Sequence, residues 1–177
     1  TGTSNVGFGS GTFENIEAGG TLNTAMGVNA LQDLTTGDGN TAIGYQAALN
    51  ATTASNTVAI GNAAIGTGVL TGTDNTAIGQ SAGNDLTSGA YNFFGGYRAG
   101  WNATTPSHTI AIGRLAIGLG VLTGADNVAI GYQAGYDLTS GTYNIFSGYQ
   151  AGANVTTGTG NIFQGSEAGE FATTSSY

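Results

Sequence analysis

Asn127 to Gly135 reads NVAIGYQAG, and this stretch is the unit that the rest of the chain repeats. Two copies, NTVAIGNAA from Asn56 and HTIAIGRLA from His108, carry one extra residue before the core. The other seven begin at Asn5, Asn23, Asn40, Asn75, Asn92, Asn144 and Asn161, and those at Asn5 and Asn23 are weaker. Ten copies in 177 residues indicate a repeat protein, and the repeat is a stronger guide to the fold than the pattern of any single segment.

The repeat length is measured from the glycine that closes each Asn-x-x-x-Gly core, here called the anchor glycine. The numbers of successive anchors differ by 17 or by 18, and three such steps complete a larger unit with an exact period of 52. Residues 57–104 and 109–156 share 33 identities in 48 positions without a gap. The anchors are Gly9, Gly27, Gly44, Gly61, Gly79, Gly96, Gly113, Gly131, Gly148 and Gly165.

This period selects the fold class. A helical repeat needs about 33 residues or more for its two helices, whereas a coil of short strands and tight turns needs fewer. Thr, Val, Ile, Phe and Tyr suit strands, and Gly, Asn, Asp and Ser recur at fixed offsets as turn residues. The sequence therefore predicts an all-β parallel β-solenoid (β-roll or β-helix) of about ten coils as a single domain over residues 1–177, with 170–177 as a frayed end or linker.

Asparagine recurs four residues before the anchor. Stacked coils would place these amides in a hydrogen-bonded ladder. The copy that begins at His108 puts that histidine in the slot of the asparagine, which predicts a hydrogen-bonding role at a corner. The predicted ladder comprises Asn23, Asn40, Asn75, Asn92, Asn127, Asn144 and Asn161.

The core strand is apolar on both faces. In NVAIG, Val128 and Ile130 share one face, and Ala129 and Gly131 share the other. A strand with one solvated face would alternate apolar and polar residues. One face can fill the coil, and we expect the other to be buried against identical chains, in a homotrimer.

Composition limits the partners. Charged residues make up 7% of the chain, lysine is absent, and the formal net charge is −8. A nucleic-acid surface needs clustered Lys and Arg, so nucleic acid is not an expected partner. No apolar run approaches the length of a membrane span, so membrane insertion is not expected.

The repeats NTAIG and NVAIG followed by QAG resemble the head repeats of trimeric autotransporter adhesins, and GYQAG is similar to repeats of phage tail fibres. The resemblance covers essentially the whole chain. It implies three rolls associated about an axis and an extracellular location on a virion or cell surface. The adhesin repeat is shorter than the repeat of this chain, so a larger coil is expected here.

A catalytic site is not expected. The chain has one histidine and no cysteine, and its acidic pairs are Glu14/Glu17, Asp33/Asp38 and Glu167/Glu170. Columns of aspartate in a Gly-rich solenoid can bind Ca²⁺, but capping of Asx turns is the expected role. No metal site or cofactor is therefore predicted. The two aspartate columns are Asp33, Asp85 and Asp137, and Asp74 and Asp126.

Two sets of surface residues are candidates for contact or modification. An aromatic row could stack on sugar rings, or its rings could pack between coils or chains. The row comprises Tyr45, Tyr97, Trp101, Tyr132 and Tyr149. Three Asn-x-Thr sequons, the acceptor pattern for N-glycosylation, begin at Asn50, Asn102 and Asn154.

These features predict a structural or adhesive fibre segment that presents or makes contacts with a host or surface. The alternative is a subunit of a head-to-tail filament, and an ice-binding or glycan-binding solenoid is a third candidate. The expected partner is the chain itself, with cell-surface glycans as a further candidate.

Overall fold

The fold is a parallel β-solenoid. The computed structural model describes residues 3–17, 19–174 and 176. Its ten strands form one parallel sheet in sequence order, with about nine turns at a spacing of about 17 residues, which confirms the predicted fold class. The strands are β1 (Val6–Phe8), β2 (Thr24–Met26), β3 (Thr41–Ile43), β4 (Val58–Ile60), β5 (Thr76–Ile78), β6 (Phe93–Gly95), β7 (Ile110–Ile112), β8 (Val128–Ile130), β9 (Ile145–Ser147) and β10 (Ile162–Gln164). No helix forms in the described part of the chain, so it holds no helix that could cross a membrane.

Each strand is followed by its anchor glycine, which the stacking of coils requires. Gly44 has a φ of 135°, and a Cβ placed on it would lie 2.5 Å from the carbonyl oxygen of Gly61 in the next coil. A side chain would therefore push adjacent coils apart at the corner where the chain leaves the sheet.

After the anchor, the chain stays bonded to both neighbouring coils although it forms no further named strand. Gln46 and Ala48 have φ values of 54° and 50°, so alternate N–H groups turn in opposite directions. The Gln46 N–H donates to Val28 of the preceding coil at 2.9 Å, and the Ala48 N–H donates to Ala64 of the following coil at 2.9 Å. This alternation satisfies the backbone along the turn.

The solenoid interior is filled by the central residue of each strand and by residues from the opposite side of the coil. Ala42 and Ala129 are fully buried, and so are Leu34 and Leu138 across from the sheet. The alanine three residues after the anchor, such as Ala134, is also fully buried. The inward face of the sheet thus carries the small residues, and the larger Val and Ile side chains point outward.

Three coils fill the same space differently, and in the last of them, that of β10, the phenylalanine is the partly buried Phe163. Phe94 and Phe146 replace alanine in β6 and β9 and are fully buried. Glycines make room for the ring, since a Cβ on Gly100 would lie 2.5 Å from Phe94 Cδ1. Where β4 carries alanine, the position equivalent to Gly100 holds the buried Ile65. Volume is therefore exchanged inside the coil, between the strand and the turn.

The extra residue of the longer coils lies after the strand, so its predicted place before the core is wrong. β4 pairs with β3 at a spacing of 17, as Thr41 faces Val58, and with β5 at a spacing of 18, as Val58 faces Thr76. The Ala48 N–H of the preceding coil donates to the Ala64 carbonyl, and the Thr52 N–H donates to the Leu70 carbonyl. The number of residues between donor and acceptor is larger for the second bond than for the first. The additional length therefore falls between Ala64 and Leu70.

The predicted frayed end at 170–177 is joined to the preceding coil where it is described. The Thr156 N–H donates to the Thr173 carbonyl at 2.9 Å, and Ser176 forms a bridge with Thr159. Residues 175 and 177 lie outside the described residues.

Candidate functional surfaces

The asparagine column forms a buried ladder of hydrogen bonds. The Oδ1 atom of Asn23 accepts the backbone N–H of Asn40 at 2.8 Å and its Nδ2 at 3.0 Å. The Asn40 Nδ2 also donates to the Ala54 carbonyl at 2.7 Å, near the end of the same coil. Each amide thus ties its own coil to the next and closes the corner of the coil. The same pattern joins Asn75 to Asn92, Asn127 to Asn144 and Asn144 to Asn161.

Threonine takes the ladder slot in the two coils where the sequence suggested Asn56 and His108. Thr57 and Thr109 are buried, and their N–H groups donate to the Oδ1 atoms of Asn40 and Asn92 at 2.9 and 3.0 Å. The predicted placement of His108 in the asparagine slot is therefore wrong. A threonine has no amide to continue the ladder, so it ends the run of asparagines in its unit.

His108 lies on an exposed corner next to the sheet. Its ring stacks on Tyr91 of the preceding coil, with centroids 5.3 Å apart, and its Nδ1 atom lies 3.7 Å from the Asp126 carboxylate. The backbone at His108 has a φ of 54°, which the residues of this column share. Its neighbours are therefore side chains of the same outward column, and the ladder lies behind it.

The aspartate columns bond within the solenoid. Asp33 accepts a hydrogen bond from Asn15 at 2.8 Å, and Asp85 accepts one from Thr67. Burial raises the pKa of Asp137 above its ordinary value, because the charged carboxylate loses hydration. Asp85 and Asp137 are three coils apart, or about 14 Å, so they do not share one ion. Among the described residues, no three His, Cys, Asp or Glu side chains form a group that could hold a metal ion.

The acidic pairs named from the sequence lie in separate environments. The Glu14 carboxylate accepts a hydrogen bond from Gln32, and Asp38 accepts the Thr21 N–H at 2.7 Å. Glu17 and Glu167 are exposed, and Glu170 is half-buried. No cavity was found in the described part of the chain.

The three sequon asparagines use their amide nitrogens to bond the next coil. Each Nδ2 atom is the atom that would carry a glycan, and each donates to a backbone carbonyl of the following coil. A glycan would take one of the two hydrogens of this nitrogen and leave one N–H as a donor. The bonds are Asn50 to Thr67 at 3.0 Å, Asn102 to Leu119 at 2.8 Å and Asn154 to Glu170 at 2.7 Å.

The threonines that recur eight residues after the anchor glycine form a further column, and they bond inward to the solenoid. Thr87 and Thr139 are half-buried, and their hydroxyls donate to the carbonyls of Thr104 and Thr156, each at 2.9 Å. These hydroxyls support the backbone ladder between coils.

The outward side of the sheet is a mainly apolar surface, here called the strand face, with polar residues or glycine at Thr24, Thr41, Thr76, Gly95, Ser147 and Gln164. It consists of the first and third residues of each strand, which point away from the core because strand side chains alternate. Ile112 is 39% exposed and Ile130 is 42% exposed. Other large exposed apolar residues of the strand face are Val6, Phe8, Met26, Ile43, Ile78, Phe93, Ile110, Ile145 and Ile162.

The aromatic residues named from the sequence are only partly brought together. Tyr132 stacks on Tyr149 with centroids 5.2 Å apart. Tyr97 and Trp101 both contact the guanidinium of Arg98, at 5.3 and 4.3 Å from the ring centroids. Tyr45 stands apart, because the next coils of its column carry Asn62 and Gln80.

Sequence reasoning missed both arginines of this region. The Arg114 guanidinium lies between Tyr97 and Tyr132, at 5.6 and 5.5 Å from their centroids. A signal was present in the sequence, because Arg114 takes the tyrosine position directly after the anchor glycine and is one of only two cations in the chain.

Comparisons of the chain with protein-family models, with curated proteins and with solved structures gave no match.

Proposed function

We propose that the chain is a structural segment of an extracellular fibre, in which copies associate side by side through the strand face. The observation that carries this proposal is the row of exposed large apolar side chains on nine of the ten strands, with the half-exposed Val58 and Ile60 on β4 between them. Exposed apolar patches of several hundred Å² are typical of protein–protein interaction sites.

The size of the surface suits association. Nine spacings of about 4.8 Å give a length of about 43 Å. The two strand columns and the adjoining corner column, in which Leu22, Tyr91 and Tyr143 alternate with polar residues such as Asp74 and Asp126, give a width of about 15 Å. The product, about 650 Å², lies at the lower end of the roughly 600–1,000 Å² that each partner buries in a specific interface.

A second copy is the occupant whose geometry fits best. Side chains on the strand face repeat at the spacing of a parallel sheet, and a second solenoid of this sequence carries the same spacing along its length. The arrangement proposed is a homotrimer, as the resemblance to trimeric fibre repeats suggests. Buried ladders and backbone bonds between coils would give stiffness without salt bridges.

Light scattering coupled to gel filtration tests the proposal. The wild-type chain should have a mass that is a multiple of 17.4 kDa, and three times this mass for the trimer. Ile112→Asn combined with Ile130→Asn should give the single-chain mass, because both side chains would be buried between copies. Val121→Asn is the matched control, since Val121 is an exposed apolar residue away from the strand face.

A wild-type chain that remains at 17.4 kDa at every concentration would refute the association. An assembly that survives the double substitution would show that another surface joins the copies. Electron micrographs of long fibres of uniform width would favour head-to-tail stacking over a closed trimer.

A further inference from the structure

Both positive side chains of the protein lie side by side on one surface. Arg98 and Arg114 are the only lysine or arginine residues, against ten Asp and Glu. They belong to the coils of β6 and β7, which are neighbours. Within the described residues, the ion pair formed at 4.0 Å or less joins His108 to Asp126, so neither arginine is paired with a carboxylate.

The Arg114 guanidinium is held in place by rings. It lies between Tyr97 and Tyr132, and its Nη1 atom donates to the Tyr132 hydroxyl at 3.3 Å. A guanidinium has five N–H donors in a planar fork. The rings attract its charge and orient the fork, but they use only one of these donors.

Arg98 supplies a second fork one coil away. Its guanidinium carbon lies 4.3 Å from the centroid of Trp101 and 5.3 Å from that of Tyr97. Its Nε atom is buried and has no hydrogen-bond partner among the described residues. Stacking on Trp101 therefore positions a guanidinium whose Nε atom has no acceptor in the described part of the chain.

Aromatic rings extend the surface along the fibre. Tyr132 and Tyr149 stack with an angle of 10° between their planes, and Tyr149 is 50% exposed. The row from Tyr97 to Tyr149 covers three coil spacings, or about 14 Å. It presents several rings and two guanidiniums in a line, here called the arginine–aromatic cluster.

We infer that the arginine–aromatic cluster binds an acidic saccharide, with carboxylates on the two guanidiniums and sugar rings against Tyr97, Trp101 and Tyr149. The planar fork of arginine matches a carboxylate. The negative face of an aromatic ring attracts the C–H groups of a sugar face. A densely charged polyanion such as nucleic acid would need more cations than two. The inference does not depend on association through the strand face.

Calorimetry with the wild-type protein, in whatever oligomeric state it adopts, tests the inference, with trigalacturonate as the probe. Its methyl ester keeps the sugar rings and removes the charge, so it should bind at least about tenfold more weakly. Arg98→Gln and Arg114→Gln should each lower the affinity for trigalacturonate about tenfold or more. Arg114→Lys should recover only part of the loss, because lysine keeps the charge without the fork.

Tyr45→Ala is the matched control, because Tyr45 occupies the same column outside the cluster, and it should bind trigalacturonate like the wild type. Circular dichroism and assembly mass are measured for every variant. Absence of binding by the wild type, or equal binding of acid and ester, would overturn the inference. If the arginine variants keep the fold but lose the assembly, the cluster is a contact between copies and the inference is also wrong.

Discussion

The exchange of volume between Phe94 and the turn glycines makes a stringent prediction for the interior. In β6 a phenylalanine faces Gly100, whereas in the coils of β4 and β7 alanine faces Ile65 and Ile117. The double variant Phe94→Ala with Gly100→Ile would convert the β6 coil to the other solution. Ile65 and Ile117 adopt the required backbone, with φ values of 48° and 47°.

The two single changes should be costly. Phe94→Ala opens a cavity and should cost about 3–5 kcal/mol. Gly100→Ile beside the ring should cost about 1–3 kcal/mol for overpacking and about 1–3 kcal/mol for a branched side chain at positive φ. Additive effects would therefore sum to about 5–11 kcal/mol.

The double variant should lose much less. The isoleucine fills space that the ring vacates and relieves the overpacking, so a cost of about 2–4 kcal/mol is expected, mostly from backbone strain and the space left beside Gly83. Guanidinium denaturation at fixed protein concentration measures the total. Hydrogen exchange in the coils of β5 to β7 localises the change, since solenoid stability depends on neighbouring repeats. A double variant that is less stable than both single variants would refute this account of the core.

Three further predictions concern the corner glycines, the ladder and one acid. Gly44→Ala should lower the free energy of unfolding by about 3–5 kcal/mol, because the new side chain clashes with the next anchor glycine and is strained at positive φ. Gly165→Ala is the control, since Gly165 also has a positive φ but nothing within 4 Å of its Cβ position, and it should cost only about 1–2 kcal/mol. Thermal or chemical denaturation measures both, and equal losses would show that the clash is not the cause. Asn92→Ala should cost about 2–5 kcal/mol because it leaves buried backbone groups unpaired, whereas the exposed Asn62→Ala should cost less than about 0.5 kcal/mol. Asp137→Asn should raise the free energy of unfolding by less than about 1 kcal/mol near pH 7, because the raised pKa of Asp137 means that burial disfavours its charged carboxylate. The gain should vanish in denaturation curves measured below pH 3.8, the ordinary pKa, where the carboxyl group is protonated in both the folded and the unfolded chain. A gain that persists there would rule out titration of Asp137 as its cause.

The sequence predicted the solenoid because its repeats are close copies. An Asn and a Gly at a fixed separation mark the two ends of eight of the ten strands, and the structure has a three-residue strand between them, as in Thr41–Ile43. The extra residue was placed wrongly because Asn56 is an asparagine, like the residues of the ladder, but lies one residue before the ladder position. Alignment on Gly61 places Thr57 in the slot, where the essential contact is made by the backbone N–H.

Which face of each strand points into the solenoid interior could not be predicted, since both faces are apolar. The structure places alanine inside because leucines from the opposite side of the coil, such as Leu34, already fill the interior. The arginine–aromatic cluster needed the stacked coils, because Arg114 and Tyr132 are one full coil apart in sequence and adjacent in space. Tyr45 looked equivalent to Tyr132 in sequence, but its neighbours in the stack differ.

The central claim is that the strand face is buried between copies of the chain. Cryo-electron microscopy of the purified assembly tests it most directly. The account predicts parallel solenoids in which Ile43, Ile78, Ile112 and Ile130 of one copy pack against neighbouring copies. Single solenoids, or an assembly in which these side chains face solvent, would contradict it.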